Sequence, residues 1–268
     1  MTAKTSLPYE TSVWRGGPAR GARSVAAEAP IAFVYDGGTE AVMMATPADL
    51  EDFAYGFSLN DGIIASANDI AGLEIAGEGR GIELRMTLRN ANRERVIARR
   101  RHRAGPAGCG LCGVDSIAEA MRSLPRVGRG VTLPAGELID AIRGLRGHQV
   151  LNAATQAVHA AAFYVPGEGI VAAREDVGRH NALDKLAGAL VRGGRKPSDG
   201  ALLMTSRLSV ELVQKAAMMG ASVIASVSAP TALALEEAAK AEITVAGVVR
   251  DDGLEVFTHH ERVRMVAS

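Results

Sequence analysis

The chain has 268 residues, 47% of them hydrophobic, enough to bury one sizeable core or to divide into two domains. Thirty Lys and Arg against 30 Asp and Glu leave zero formal charge, so no global field favours nucleic acid or an anionic membrane surface. No stretch approaches the length of a membrane-spanning helix, and residues 1–17 lack the pattern of a secretory signal, which predicts a cytoplasmic protein without a membrane partner.

Residues 9–15 predict a short strand, followed by Gly16-Gly17-Pro18 and a polar surface loop to about Ser24. Apolar runs at 30–35 and 40–45 flank Asp36-Gly37-Gly38, a hairpin signal. Thr46-Pro47-Ala48-Asp49 offers a capping hydroxyl, a proline suited to the first helical position and an early acid. Leu50, Phe53, Ala54 and Phe57 then recur at helical spacing, predicting a helix over 47–59 that Asn60-Asp61-Gly62 stops. Residues 73–75, 82–88 and 95–98 read as strands, so the first hundred residues form a mixed, strand-rich layer. Eight arginines cluster from Arg85 to Arg103. They either form a solvated face or draw an anionic ligand, since guanidinium matches phosphate in bidentate geometry.

The only two cysteines of the chain, Cys109 and Cys112, sit together in Gly108-Cys109-Gly110-Leu111-Cys112-Gly113. Two intervening residues let the sulfurs approach for a disulfide, a shared metal or relay of a sulfur atom between thiolates. In a reducing compartment such a pair is catalytic, metal-binding or sulfur-carrying rather than a structural staple. A helix over 114–121, capped by Asp115 or Ser116, would place Cys112 just outside its positive end, where a thiolate is stabilised. Zinc would need a third and a fourth ligand, and the sequence has no second Cys-x-x-Cys and no paired histidines; no metal site is expected.

A second helix, 135–145, precedes Arg146-Gly147-His148, the expected domain boundary. This divides the chain into a strand-rich α+β part (1–104), a Cys-x-x-Cys loop with a helical connection (105–147) and an α/β part (148–268). In the last part, strands at 155–164 and 169–173 pair around Pro166-Gly167. Helix (180–192), strand (201–205), helix (209–219), strand (222–227), helix (231–240), strand (243–249) and a final strand (254–258) follow. Alternating strands and helices imply right-handed crossovers and a mostly parallel sheet.

Ligands of such sheets bind beyond the carboxyl ends of the strands. Those ends carry Thr205-Ser206-Arg207 with Ser209, and Ser228-Ala229-Pro230-Thr231. Their hydroxyls and helix-start N–H groups suit an anion, unless Ser209 and Thr231 serve only as helix caps. No glycine-rich phosphate loop or dinucleotide fingerprint accompanies them. The densest polar stretch runs from Arg174 through Asp176, Arg179, His180, Asn181, Asp184 and Lys185. A helix starting near His180 puts His180 and Asp184 on one face and Asn181 and Lys185 on the next, lining a pocket or forming surface ion pairs. His159, in an otherwise apolar strand, is either a core residue or a pocket residue.

Taken together, Cys109-Gly110-Leu111-Cys112-Gly113, the run Glu175 to Lys185, Ser206-Arg207-Leu208-Ser209 with Glu211 and Lys215, and Ser228-Ala229-Pro230-Thr231 resemble the FdhD family. Glu28-Ala29-Pro30, Thr46-Pro47 and Gly62-Ile63-Ile64 fit it as well, so the resemblance spans almost the whole chain. These are sulfur carrier proteins (sulfurtransferases) needed for formate dehydrogenase activity. The resemblance implies a cytidine-deaminase-like three-layer α/β C-terminal domain, a smaller strand-rich α+β N-terminal domain and a homodimer. It implies that a cysteine desulfurase passes persulfide sulfur to Cys109 and Cys112, with Cys109 the essential thiol. The sulfur then moves to the molybdenum or tungsten bis-pterin guanine dinucleotide cofactor before that cofactor enters formate dehydrogenase; a guanine nucleotide would mimic it. Residues expected around the cofactor are His159, Asp176, Arg179, His180, Asn181, Asp184, Lys185, Ser206, Arg207, Ser209, Ser228 and Thr231, with Asp184 a guanine acceptor. The chain departs from the family at Thr155-Gln156-Ala157-Val158-His159, where Thr-Gly-Gly-x-His is usual, and at Asp61, which stands for a glutamate. Two rival readings are a cofactor-binding chaperone without sulfur transfer and a dithiol redox protein.

Overall fold

The structure, a computed structural model, describes residues 4–89, 121 and 123–265. Cys109, Cys112, the arginines from Arg93 to Arg103, the expected strand 95–98 and the expected helix up to residue 120 lie outside the described residues.

Strands β1 (Ser6–Trp14) and β2 (Pro18–Ala26) pair antiparallel over their whole length, with Gly16 at the turn in the left-handed region (φ 77°). The expected polar loop to Ser24 is therefore a strand. Neither face of this ribbon is buried, so its sequence lacks the apolar alternation by which a strand is recognised. The hairpin β3 (Ala29–Tyr35) and β4 (Gly38–Ala45) turns as expected, through Asp36 (φ 46°) and Gly37 (φ 82°), the two positive φ values of a type I′ turn.

Helix α1 (Leu50–Asn60) starts three residues later than the sequence suggests. Thr46 does not cap it. Its hydroxyl accepts the Val177 N–H (3.2 Å), and Asp49 enters the helix in the left-handed region (φ 52°). Strands β5 (Ile70–Glu78) and β6 (Gly81–Leu88) complete a four-stranded sheet in the order β4-β3-β6-β5, with β3 and β6 parallel. One face of α1 closes this sheet: Phe33 meets the edge of Phe53 (centroids 4.9 Å apart) and stacks on Phe57 (4.0 Å).

The C-terminal part opens with β7 (Leu133–Pro134), α2 (Ala135–Leu145) and α3 (Val150–Thr155). Next come β8 (His159–Val165), β9 (Gly169–Asp176), α4 (Arg179–Arg192), β10 (Ala201–Met204), α5 (Val210–Met219), β11 (Val223–Ser226) and α6 (Ala232–Lys240). Strands β12 (Thr244–Arg250) and β13 (Gly253–Thr258) finish a six-stranded sheet of order β13-β12-β11-β10-β8-β9, and β14 (Val263–Arg264) pairs with β7 outside it. The sheet is mixed rather than mostly parallel: β10, β11 and β12 run parallel, while β8, β9 and β13 join through antiparallel pairs. The turns after Val165 and Arg250 are too short for a crossover, so each returns the chain as a hairpin.

Residues 155–158, expected to open a strand, instead end and follow α3. That helix is held from outside. Glu175 accepts the Leu151 and Asn152 N–H groups (2.7 and 2.8 Å) at its start, and Arg23 donates to Thr155 O (3.0 Å) at its end. Gln156 closes it at φ 56°, a left-handed conformation that glycine adopts more readily.

Leu183, Leu186, Leu212, Val213, Ala234 and Ala238 pack α4, α5 and α6 on one face of the six-stranded sheet; Leu138, Ile142 and Leu145 of α2 cover the other. The second face of α1 lies on α4, which joins the two sheets through helix-helix contact. Their approach depends on glycines. A Cβ on Gly56 would stand 1.6 Å from Asp184 O, and one on Gly188 would stand 1.8 Å from Asp52 O. Asp52, buried at this junction, receives Arg174 Nε and Nη2 (2.8 and 2.6 Å) and also Arg192.

Gly56→Ala and Gly188→Ala should each destabilise the fold by about 3 kcal/mol or more, since backbone must shift to admit the methyl group. Gly253→Ala, with nothing within 4 Å of the new Cβ, should stay within about 0.5 kcal/mol of the parent. Urea unfolding of the three variants measures this; a Gly56→Ala midpoint equal to that of the parent would contradict the close crossing.

Candidate functional site

Because β8 runs antiparallel to β10, its first residue lies at the same edge of the sheet as the last residues of β9, β10 and β11. His159, Asp176, Thr205 and Ser226 to Ser228 therefore gather at one crevice, as expected for ligand-binding α/β sheets. His159 opens β8 opposite Asp176 and is half-buried. Thr205 Oγ1 accepts the Ala160 N–H (2.8 Å). The loops after β10 and β11 are fastened together: Ser226 Oγ donates to Ser206 O (2.5 Å) and Thr231 N to Leu208 O (3.0 Å). Ser206 is buried, and its hydroxyl donates to Arg207 O (3.2 Å), whereas Arg207 itself is exposed. Ser228 N donates to Ser226 Oγ (3.1 Å), and Thr231 caps α6 by accepting the Ala234 N–H (3.4 Å).

The polar run from Asp176 to Lys185 divides into two groups. Asp176 and Lys185 are both 0% exposed and form an ion pair at 2.6 Å. Asp176 also accepts from Gly178 N (2.8 Å), Asn181 Nδ2 (2.9 Å) and Thr46 N (3.0 Å). Lys185 Nζ donates to Thr46 O (2.8 Å) and lies 5.4 Å from the Phe53 ring centre. Asn181 Nδ2 reaches Met44 O as well (2.9 Å). Asp184 receives Lys215 Nζ (2.7 and 2.9 Å) and Asn60 Nδ2 (2.7 Å). These four side chains tie α4 to the chain around Thr46, to α1 and to α5, and Asp176 and Lys185 have no surface to offer a ligand.

The second group stands where two helices begin at this sheet edge. Arg179 and His180 start α4; Ser209 and Glu211 start α5. Arg179 Nε, His180 Nε2, Ser209 Oγ and Glu211 Oε2 are each buried, and none meets a partner at full hydrogen-bond geometry, although the Ser209 hydroxyl lies close enough to Glu211 to stabilise its charged form. His180 Nε2 stands 3.9 Å from Glu211 Oε2. Burial lowers the His180 pKa to about 4, aided by Lys215, Arg179 and Arg207 and opposed by Glu211, so the imidazole is neutral at pH 7. Burial pushes Glu211 upward, but the Ser209 hydroxyl, its own backbone N–H and the neighbouring His180 and Arg179 outweigh this and hold the carboxyl below its usual value. It is ionised at pH 7. Burial and then Arg179 lower His159 as well. For Asp184, burial raises the carboxyl pKa against the pull of Lys215 and Asn60.

Of the twelve residues expected around a cofactor, the structure thus places Arg179, His180 and Ser209, each with a buried unpartnered atom, at the starts of α4 and α5. His159, Ser206, Arg207, Ser228 and Thr231 stand at the strand ends; Asp176, Asn181, Asp184 and Lys185 act as internal ties. Glu211 was not among the expected site residues, although its place two residues after a strand-end serine is readable in the sequence. Asn60 and Thr46 were unreadable as partners, being over a hundred residues away from Asp184 and Asp176.

A separate concavity of about 590 Å3 lies on the four-stranded sheet, among Asp36, Glu74, Glu83, Arg85 and Thr87. Arg85 pairs there with Glu83 (2.7 Å) and Glu74 (3.6 Å). None of the buried unpartnered atoms of Arg179, His180, Ser209 and Glu211 lies in this concavity.

The protein is a mixed α/β protein, a class in which ligands commonly bind beyond the carboxyl ends of the strands. Residues 26–264 match the FdhD/NarQ family, and the chain belongs to it. The protein named sulfur carrier protein FdhD in Agrobacterium fabrum is 50% identical over 254 residues, 94% of each chain. That of Cupriavidus necator is 45% identical over 98% of this chain and 92% of its own. A crystal structure described as that of a formate dehydrogenase accessory protein from Desulfotalea psychrophila superposes with a TM-score of 0.78 at 27% identity, covering 97% of this chain and all of the other. Among the described residues no helix is long and apolar enough to cross a membrane.

Breaking the buried ion pair by Lys185→Met should cost about 3–5 kcal/mol in urea unfolding, because Asp176 is left charged and uncompensated; a loss below about 1 kcal/mol would contradict the lock. Between pH 6.5 and about 4 the unfolded chain binds a proton at His180 that the folded chain refuses. Stability is therefore whole above pH 6.5 and falls as pH drops through that window, by up to roughly 3 kcal/mol from this residue. The same unfolding series on His180→Gln should lose that part of the pH dependence, and an unchanged slope would contradict the neutral imidazole.

Proposed function

We propose that the protein is a sulfur carrier serving formate dehydrogenase. It accepts persulfide sulfur from a cysteine desulfurase and delivers it to the bis-pterin guanine dinucleotide cofactor of molybdenum or tungsten. The observation that carries this reading is the near full-length match to proteins named sulfur carriers, in a chain whose only two cysteines form one Cys-x-x-Cys.

In the first step a Cys109 thiolate attacks the outer sulfur of the desulfurase persulfide. A new S–S bond forms on Cys109, the desulfurase S–S bond breaks, and its cysteine leaves as thiolate. In the second, Cys112 attacks the inner sulfur of the Cys109 persulfide. The outer sulfur departs as sulfide to the metal, Cys109 and Cys112 close a disulfide, and the dithiol supplies the two electrons; a cellular dithiol reductant restores both thiols. The sheet edge supports the cargo side of this scheme: exposed Arg207 and the N-terminal N–H groups of α5 are suited to the phosphates of a dinucleotide.

Incubation with a desulfurase and cysteine should add one sulfur to the intact protein by mass spectrometry. The Cys109→Ala, Cys112→Ala double variant should gain none and should fail to activate formate dehydrogenase. Full labelled-sulfur transfer by the double variant would contradict the proposal. Cofactor binding with no added sulfur would favour a chaperone, and a reversible loss of two hydrogens as the sole change would favour a dithiol redox protein.

A further inference from the structure

Strand β12 leaves its regular course at Val248. Between the pairs Gly247–Glu255 and Arg250–Gly253, Val248 and Val249 of β12 stand against Leu254 alone, which makes a β-bulge. Val248 enters it in the left-handed region, at φ 50°. A branched Cβ crowds the backbone there, so a valine in this region is an outlier, and glycine is the usual occupant of such a bulge position. Gly247 is adjacent, yet the positive φ falls on Val248. Strain of this kind persists only where the surroundings over-determine it, and it collects at functional sites.

The surroundings of Val248 are the loop that follows β11. Val248 N donates to Ser228 O (3.3 Å), and the Arg250 guanidinium donates to Val227 O. Gly247 approaches so closely that a Cβ on it would stand 3.0 Å from Pro230 Cδ and 3.3 Å from Ser228 O. The bulge thus grips residues 227–230 from one side. From the other side the same loop holds the loop after β10: Val227 N donates to Met204 O (3.3 Å), Pro230 pairs with Leu208 in an isolated parallel bridge, and Thr231 N donates to Leu208 O (3.0 Å). Leu208 is buried between exposed Arg207 and Ser209, the residue at which α5 begins. Backbone contacts therefore run unbroken from the bulge to the chain that carries Arg207.

We infer that Val248 is a positioning residue: its left-handed bulge holds the loop 227–231, and through Leu208 that loop sets where Arg207 and the first N–H groups of α5 stand. The inference deepens the proposed function and rests on its reading that this sheet edge meets the phosphates of the cargo.

Three variants of the full chain test it. V248G keeps both the positive φ and the N–H, V248P fixes φ at about −65° and removes the N–H, and R250M takes the guanidinium off Val227 O from an exposed position. In hydrogen–deuterium exchange of the free protein, V248P and R250M should speed exchange at residues 205–209 and 227–231 by about five-fold or more and leave the four-stranded sheet as in the parent. In isothermal titration with GMP, the Kd should rise about five-fold or more in both and stay within about two-fold of the parent in V248G. A valine that serves only by filling space predicts the opposite order, with V248G the impaired variant. Where the parent binds GMP, parent-like affinity in V248P and R250M, or a loss confined to V248G, would overturn the inference. Where the parent does not bind GMP, the cargo reading of this sheet edge fails and exchange alone decides: acceleration at 205–209 supports the positioning, and parent-like exchange overturns it. Should V248P fail to fold, R250M and V248G decide.

Discussion

The ion pair between Asp176 and Lys185 is the constraint on which the rest of the arrangement depends. Removing two charges from water is expensive, and the pair is tolerated because every strong direction is used: Asp176 takes four donors and Lys185 also serves Thr46 O. Those partners come from the end of β9, the first turns of α4 and the link between β4 and α1. One buried point thereby fixes the four-stranded sheet against the six-stranded one. The glycine crossing of α1 on α4 and the two arginines on Asp52 extend the same junction along the helices.

Arg179 and His180 are the first residues of α4, so the lock that fixes this helix start also fixes where they stand. A second chain of contacts, Asn60 to Asp184 to Lys215, carries the junction toward the crevice and places an ammonium near His180. The consequence is electrical. Burial, aided by Lys215, Arg179 and Arg207, keeps the imidazole neutral, while Glu211 keeps its charge beside it.

Much of the fold is legible in the sequence where structure is decided locally. The continuous apolar runs of β10 and β11 between helical periods, and Asp36-Gly37 between two strands, leave little alternative. What is not legible depends on distant partners. The β1–β2 ribbon buries neither face, α3 is capped by Glu175 and Arg23, and Thr46 gives its hydroxyl to Val177 rather than to α1. The site follows the same division. Local polarity identifies the region from Asp176 to Lys185 but cannot tell a partly exposed His180 from a fully buried Lys185, because the packing of α1 decides which side of α4 is internal. Glu211, a helix-start acid in an ordinary position, gains significance only from the orphaned atoms around it.

Hydrogen–deuterium exchange with and without a guanine nucleotide addresses most directly the claim that the strand-end crevice holds the cargo. Amides of residues 178–182 and 205–212 should be protected on binding, with the four-stranded sheet unchanged. Protection confined to the concavity around Glu74, Glu83 and Arg85, with the two helix starts exchanging as in the free protein, would contradict it.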